Sequence, residues 1–373
     1  MIVLERDEVD RRRAEYRSRV GPAADARQTR RLAGTKDPVA DFLFEYYSFP
    51  PGKLRRWSPG LNVILAGMTP EETDDPSAYI AVAGGCMLDA HRFRAHRIAY
   101  LRWAITYLES VQAREPYYGC FGLHEWAMVY RTDAIRHDRI PLRLGNVGTD
   151  TVVSSRPLTC THYDAFRFFM PDATPLNRTA LTRENSIEHD QPGCIHATMD
   201  LYKFCYKITP FVISDIMADA FLLAAECRII DMRASPYDFT EQRLEPIRIE
   251  TLEGREEYIA EQRRLAEMGQ RVRADVLAEY RKLEKAAVDE PPGSSRRSAT
   301  KSHCVSSSRS VSPPGQARRL VGDGGVSQTA DEPPGSSRGS DFLSLLRDKP
   351  GGSSVPTPCG PSTAACSGPG RVR

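Results

Sequence analysis

The chain has 373 residues, and its 51 basic and 49 acidic side chains give a net charge of +2. This balance argues against a histone-like coat for nucleic acid, which needs a strong excess of basic residues. No apolar run approaches the roughly 18 residues of a membrane span, and acidic residues in the opening MIVLERDEVDRRR argue against a signal or transit peptide. We therefore expect a cytoplasmic protein that does not bind a membrane.

Composition divides the chain into three parts. Residues 1–57 form a charged N-terminal segment with 13 basic and 9 acidic residues, which we expect to pack on the rest. Residues 58–288, with 27 basic and 33 acidic residues, form the main α-rich domain that carries catalysis or binding. Residues 289–373 hold 18 Ser, 12 Gly and 11 Pro but a single aromatic residue, so they cannot bury enough apolar surface to fold. We predict a disordered tail, whose protein partner the sequence does not identify.

The first third of the chain mixes helices with short strands. The arginines between residues 11 and 19 lie on one predicted helix, and residues 37–47 (DPVADFLFEYY) form a short helix that ends before two prolines. Residues 62–66 and 79–83 are short runs typical of strands. Asp89 is expected to cap a long helix that ends near residue 113.

The rest of the main domain is predicted to contain two short strands, a long loop and then three further helices. Runs at 142–144 and 151–155 flank LGNVGTD, whose glycines indicate a turn between two strands, and a long loop follows at 171–195. The helices are then predicted at 196–208, 210–234 and 254–288. We expect an α+β fold that is predominantly α-helical, with a small sheet.

Cysteine spacing and nucleotide motifs exclude several kinds of site. The nine cysteines are widely spaced and include no CxxC pair, so we expect reduced thiols rather than disulfides or a structural zinc site. Neither GxGxxG nor GxxxxGK[ST] is present, so a nucleotide cradle is not indicated. We expect that the protein needs no cofactor.

Three histidines lie in segments dense in polar and aromatic residues: GLHEWAMVYR, CTHYDAFRFF and GCIHATMDLYKF. His162 and Asp164 would share one face of a strand, and His196 and Asp200 would share one face of a helix. A carboxylate beside an imidazole fixes its tautomer and raises its basicity, which suits a general base or a metal ligand. Because no HExxH or close His/Cys spacing occurs, we expect no metal; a metal site, if present, would use His124, His162 and His196.

Two carboxylates four residues apart, Asp215 and Asp219, interrupt the otherwise apolar run FVISDIMADAFLLAAECRII. A buried carboxylate is costly unless it is paired or neutralised, so these side chains either face a polar cavity or form ion pairs with a basic residue. In a cavity, a carboxylate can activate water or stabilise an oxocarbenium-like centre. Arg233, at the end of the same helix, is either structural or holds a phosphate or a carboxylate.

At GLHEWAMVYR, THYDAFRFF, QPGCIHATMDLYK and DMRASPYDF, the sequence resembles a bacterial, mainly actinobacterial, family of 3-methyladenine DNA glycosylases. The resemblance covers about residues 30–285. It implies hydrolysis of the N-glycosidic bond of an alkylated base, which is flipped out of DNA and stacked between aromatic side chains. DNA contacts would then use the N-terminal arginines or a local basic patch.

The candidate residues for this reaction form two groups. The candidate catalytic residues are carboxylates and imidazoles: Asp164, Asp200, Asp215, Asp219, His162 and His196. The candidate substrate-binding residues come from the same segments: His124, Glu125, Trp126, Tyr163, Arg167, Tyr202, Lys203 and Arg233. Two alternatives stay open. The protein is a hydrolase or metal-assisted enzyme acting on a small polar metabolite, or a non-enzymatic binding protein in which these residues form a satisfied polar core.

Overall fold

The computed structural model describes residues 1–133 and 140–288. The predicted disordered tail, residues 289–373, lies outside the described residues. The described chain is predominantly α-helical with one small sheet, which confirms the predicted fold class. Among the described helices, we find none whose length and apolar character would let it cross a membrane.

The described ranges contain four strands and eleven α-helices. The strands are β1 (Ile2–Leu4), β2 (Val63–Ala66), β3 (Tyr79–Val82) and β4 (Gly85–Leu88). The helices are α1 (Arg6–Leu32), α2 (Phe42–Tyr46), α3 (Pro51–Leu54), α4 (Ile98–Ala113), α5 (Leu123–Ala127), α6 (Gly145–Ser154), α7 (Tyr163–Phe166), α8 (Ser186–His189), α9 (Ile195–Lys207), α10 (Ser214–Ala234) and α11 (Leu252–Val288). Single turns of 3₁₀ helix lie at Pro70–Glu72, Pro76–Ala78, Ala90–Arg92, Ala95–Arg97, Thr174–Leu176 and Thr240–Gln242.

The sheet joins the N-terminal segment to the main domain. Its strand order is β1-β2-β4-β3, with β1 parallel to β2 and the other neighbours antiparallel. The strands predicted at 62–66 and 79–83 are confirmed as β2 and β3. Gly84, with a φ of +85°, lies in the tight turn between β3 and β4, where a positive φ favours glycine.

Helix α10 lies at the centre of the helical layer. It packs against α1, α9 and α11, and α11 also packs against α4 and α9. These contacts follow from the sequence, because α10 is rich in apolar residues that are buried and α11 carries an apolar stripe at helical spacing. Most of the apolar side chains of α10 join the extended hydrophobic core. The close packing of α9 on α10 positions the candidate site.

One predicted element is wrong. The segments at 142–144 and 151–155 were expected to be strands, but residues 145–154 form helix α6. The β-branched residues there favour strands only weakly, and tertiary packing overrides such propensities. Val153 is fully buried, and the Thr149 hydroxyl donates to the carbonyl oxygen four residues earlier at 2.7 Å. A buried valine and a hydroxyl that bonds within its own helix are both compatible with a helix that packs on one face.

Other boundaries shift by a few residues. Asp89 caps a 3₁₀ turn by accepting from the His91 amide at 3.0 Å, and α4 begins only at Ile98. The short helix predicted at 37–47 is limited to α2. The predicted helices at 196–208, 210–234 and 254–288 are confirmed as α9, α10 and α11. All six cysteines within the described ranges are free thiols, as expected.

Candidate functional site

Three histidines from distant segments meet between α5, α7 and α9. His124 lies on α5, His162 immediately precedes α7, and His196 lies in the first turn of α9. The ring centroids of His124 and His196 are 4.5 Å apart with the rings nearly perpendicular, and those of His162 and His196 are 5.5 Å apart with the rings nearly parallel. We call these three side chains the histidine cluster.

The position of His124 depends on a glycine and a buried tryptophan. Helix α5 begins after Gly122, whose φ of +70° disfavours other residues and which lies close to Ala234 at the end of α10. Trp126 is fully buried and donates its indole N–H to the Ala234 carbonyl oxygen at 2.8 Å. These contacts fix α5 against α10. Trp126, predicted to bind substrate, therefore has a structural role.

Asp231 of α10 contacts His124 and His196, which form the first side of the histidine cluster. Its carboxylate is fully buried, with Oδ1 at 2.8 Å from His124 Nε2 and Oδ2 at 3.8 Å from His196 Nε2. The Arg228 guanidinium lies 3.2 Å from the same Oδ2 and 3.5 Å from Glu125 Oε1. The buried charges on this side thus alternate in sign, which reduces the cost of removing them from water.

His162 forms the second side of the histidine cluster, and it contacts the carboxylates of Asp190 and Asp200. Its Nδ1 lies 3.0 Å from Asp190 Oδ1, and its Nε2 lies 3.8 Å from Asp200 Oδ2. The Tyr107 hydroxyl donates to Asp190 at 2.6 Å, and the Tyr47 hydroxyl donates to Asp200 at 3.0 Å. The predicted pairs were different, because Asp164 was expected to orient His162 and Asp200 was expected to orient His196.

Lys203 neutralises the carboxylates of the second side. Its ammonium hydrogen-bonds to Asp200 one turn earlier on α9 and lies 3.7 Å from Asp164 Oδ2. Asp164 also pairs with Arg167 Nε at 3.0 Å. Lys203 and Arg167, both predicted to bind substrate, therefore contact candidate catalytic carboxylates.

The pKa values of the buried groups differ because their neighbours differ. Burial and the nearby positive charge of His124 lower the pKa of His196 to about 3. Burial also opposes the charged forms of His124 and His162, but the carboxylates of Asp231 and Asp190 outweigh it and raise both pKa values. Three neighbouring imidazoles therefore do not share one protonation state.

Two groups of side chains have the spacing of metal ligands. In each group the three potential ligand atoms lie within 4.8 Å of one another. The first group comprises His124, His196 and Asp231, and the second comprises His162, Asp164 and Asp200. The histidine cluster is therefore divided between two ligand groups and does not form the single three-histidine site that the sequence suggested.

Two cavities are lined by members of the histidine cluster and share Asp164. The His196 cavity has a volume of about 300 Å³ and is lined by Phe42, Glu45, Tyr46, Glu125, Met128, Asp164, Ala165, Phe168, His196, Arg228 and Tyr237. The Lys203 cavity has a volume of about 490 Å³, and its lining includes Tyr100, Trp103, His162, Tyr163, Arg183, Asp190, Asp200, Lys203 and Lys207. A third cavity, beside α1 and α3, contains none of the predicted site residues.

Several predicted site residues lie away from these cavities. Asp215 and Asp219 are exposed on the surface of α10. Of the two predicted alternatives, Asp219 follows the ion pair, with Arg19 at 2.5 Å, and neither carboxylate lines one of these cavities. Tyr202 is fully buried and packs against other aromatic rings. Arg233 pairs with a glutamate at 2.7 Å and donates to a backbone carbonyl oxygen, which is a structural role.

Asp190, Arg228 and Asp231 contact the histidine cluster or its partners but were not predicted as site residues. A signal for the latter two is present in α10. The spacing of Met217, Phe221, Ala224, Arg228 and Asp231 is 4, 3, 4 and 3, which is the stripe of a buried helix face. Asp215 and Asp219 fall outside this stripe. For Asp190, which follows the short helix α8, we find no comparable periodic signal.

Most arginines of α1 form ion pairs within the protein. This bears on the expectation that they contact DNA. The pairs include Arg6 with Glu72, Arg11 and Arg12 with Glu8, Arg17 with Asp74, Arg19 with Asp219, and Arg27 and Arg30 with Asp41. Each of these guanidinium groups would exchange a carboxylate for a phosphate on binding DNA.

Comparisons with known proteins give no relative. No protein-family model matches the chain, no curated protein matches it, and no solved structure matches it. The resemblance to the glycosylase family therefore rests on the four sequence segments alone. The histidine cluster and its two cavities are the features from which a function can be inferred.

Proposed function

We propose that the protein is a hydrolase that cleaves the N-glycosidic bond of an alkylated base in DNA, with the His196 cavity as its active site. One observation carries the proposal. The cavity combines aromatic rings with three carboxylates, Glu45, Glu125 and Asp164, and with the imidazole of His196. The sequence resemblance implies the same reaction class.

The chemistry of an alkylated base matches this lining. Alkylation on a ring nitrogen leaves the nucleotide base flat and positively charged. The Phe42 ring in this lining already carries the Arg228 guanidinium at 3.8 Å, so Tyr46 and Phe168 are the candidates for stacking on the base and attracting its charge. A volume of about 300 Å³ is at the small end of ligand cavities, and it suits a single base rather than an extended ligand.

In the proposed reaction, the bond between the sugar C1′ and the ring nitrogen breaks, and its electron pair stays with the base, which leaves uncharged. The sugar then carries an oxocarbenium-like positive charge, which a carboxylate stabilises. Asp164 is the candidate, because its side chain is 31% exposed and lines the cavity. The oxygen of a water molecule bonds to C1′, and its proton passes to Asp164.

DNA contact is proposed through a local patch around the Lys203 cavity. Arg183 and Lys207 are the exposed basic side chains of this cavity, whereas Lys203 is already engaged by Asp200 and Asp164. The cavity shares Asp164 with the His196 cavity. Trp103 beside them is 44% exposed and offers a stacking face. Basic side chains next to an aromatic ring favour a phosphate backbone with an unstacked base.

The test is the release of free base from methylated DNA, measured by chromatography. We expect release by the wild-type protein and a rate about 100-fold lower for Asp164→Asn, the size of effect typical of a lost catalytic acid or base. Asp172→Asn, an exposed carboxylate outside both cavities, is the matched control and should act like wild type. Wild-type release no higher than that of heat-inactivated protein would reject the proposal.

A second function is favoured by the ligand spacing of His124, His196 and Asp231. It is a metal-assisted reaction on a small polar metabolite, for which the same cavity also has a suitable volume. Activity on free nucleosides or similar small molecules, without base release from DNA, would support this second function over the first.

A further inference from the structure

We propose that His124, His196 and Asp231 bind one divalent first-row transition metal ion, and that the neighbouring group of His162, Asp164 and Asp200 does not. The proposal concerns the histidine cluster but does not depend on which bond the protein cleaves. It rests on ligand geometry, on the types of donor atom and on the position of two side-chain cations.

The ligand atoms need only small shifts to surround an ion. Zinc holds nitrogen and oxygen ligands at about 2.0–2.2 Å, so neighbouring ligand atoms in tetrahedral or octahedral geometry are about 3.0–3.4 Å apart. The distance from His124 Nε2 to Asp231 Oδ1 is 2.8 Å, and that from His196 Nε2 to Asp231 Oδ2 is 3.8 Å. These two distances lie on either side of the required range. Shifts of about half an ångström in the ligand atoms would bring both distances into this range.

The donor atoms favour one class of ion. Two imidazole nitrogens with one carboxylate suit zinc, iron and similar ions, whereas magnesium and calcium prefer oxygen ligands alone. Three protein ligands leave at least one coordination position open, as in catalytic metal sites. Of the three ligands, His196 lines the His196 cavity, so a bound ion would lie beside this cavity.

Arg228 supports the metal ligands instead of replacing the ion. Its guanidinium contacts Asp231 Oδ2 at 3.2 Å but is stacked on the Phe42 ring at 3.8 Å and also approaches Glu125. The planar group is thereby held to one side of the carboxylate. Such contacts orient a ligating carboxylate, and Glu125 balances the charge of the arginine.

Lys203 has the opposite effect on the second group. Its ammonium hydrogen-bonds to Asp200 and lies 3.7 Å from Asp164, so a positive charge already lies between the two carboxylates. A metal ion would have to displace it or be repelled by it. The two groups therefore differ in whether they can take a metal ion, although in both the ligand atoms lie within 4.8 Å of one another.

The test is a calorimetric titration of the full-length protein with Zn²⁺ after treatment with a chelator. We expect one ion to bind in wild type, and we expect its affinity to fall by at least about 100-fold in His196→Ala and in Asp231→Asn, since even the loss of a residue that only orients a ligand costs about 10–100-fold. His196→Ala is the primary variant, because the contact of His196 with Asp231 is long and its loss should disturb the fold least. Circular dichroism checks folding.

Two controls define the site. His96→Ala removes an exposed imidazole from a 3₁₀ turn and should leave the titration unchanged. Asp164→Asn, which changes only the second group, should also keep the ion. The proposal is overturned if wild type binds no Zn²⁺, if binding survives in both His196→Ala and Asp231→Asn, if Asp164→Asn abolishes it, or if Mg²⁺ binds equally well. Because no substrate is present, none of these outcomes depends on the proposed hydrolysis.

Discussion

Replacement of Asp231 by asparagine in the metal-free protein tests the electrostatics of the histidine cluster. The Asp231 carboxylate is fully buried and contacts both His124 and Arg228, whose side chain is 3% exposed. Asparagine keeps the shape of the side chain but removes its charge. Arg228 would then carry a buried positive charge with one partner fewer, which is the costly way to break a buried ion pair.

The magnitude follows from the contacts that remain. Removal of one partner from a buried pair costs about 3–5 kcal/mol in the free energy of unfolding. Glu125 still lies 3.5 Å from the Arg228 guanidinium and retains part of the compensation, so we expect the lower end, about 3 kcal/mol. Asp219→Asn on the same helix is the matched control. Its side chain is 51% exposed and pairs with a surface arginine, so its loss should cost less than about 1 kcal/mol.

The assay is urea unfolding at pH 7 in the presence of a chelator, followed by circular dichroism for wild type and both variants. The chelator keeps loss of a metal from contributing to the difference. If Asp231→Asn costs no more than Asp219→Asn, the buried charges are compensated in another way, and the reasoning about Arg228 is refuted.

Two further predictions concern the supports of the site. Gly122→Ala should cost about 1–2 kcal/mol of unfolding free energy, because φ is +70° and the new Cβ would lie 3.1 Å from that of Ala234. The control is Gly52→Ala, where a Cβ would meet no described atom within 4 Å. It should cost clearly less in the same urea assay. The pKa of Glu250 is lowered because, although burial opposes its charged form, Arg143 hydrogen-bonds to it. Its stabilisation is therefore full above the unfolded pKa of about 4.3 and is lost as the pH falls below it. Glu250→Gln should flatten the fall in urea midpoint between about pH 5 and 3, and an unchanged slope would contradict this assignment.

The elements that the sequence predicted well are those with a strong local pattern. Helices α9, α10 and α11 have long apolar periodicity, and β2 and β3 are apolar runs bounded by turns. Strand β1 escaped prediction because it has three residues and pairs in parallel with a strand some sixty residues later. Helix α6 was missed because its valines and threonines favour strands locally, whereas burial of one face decides the outcome.

The site was only partly predictable, because its pairs connect distant segments. The sequence identified all three histidines, and the structure brings them together. Their partners could not be found from local spacing. His162 contacts Asp190 and His124 contacts Asp231, and both contacts depend on how the loop before α9 and the end of α10 pack against the rest. Local rules describe neighbours on one element, whereas these pairs span several.

The energetics of the α1 ion pairs decide which of them could give way to DNA. In the pair of Arg17 with Asp74 the arginine is half exposed, and pairs at the surface contribute about 0–1 kcal/mol. Asp74 also accepts from the Trp57 amide at 2.7 Å, so a phosphate could take its place on Arg17 without leaving the carboxylate unpartnered. Arg27 and Arg30 instead bind Asp41, which is 2% exposed. If Arg27 and Arg30 turned to DNA, the Asp41 carboxylate would stay buried without its partners, which costs about 3–5 kcal/mol. The first half of α1 can therefore exchange partners with a polyanion, whereas the second half is bound into the fold. An N-terminal contribution to DNA binding would come from the residues before Arg27, added to the local patch at the Lys203 cavity.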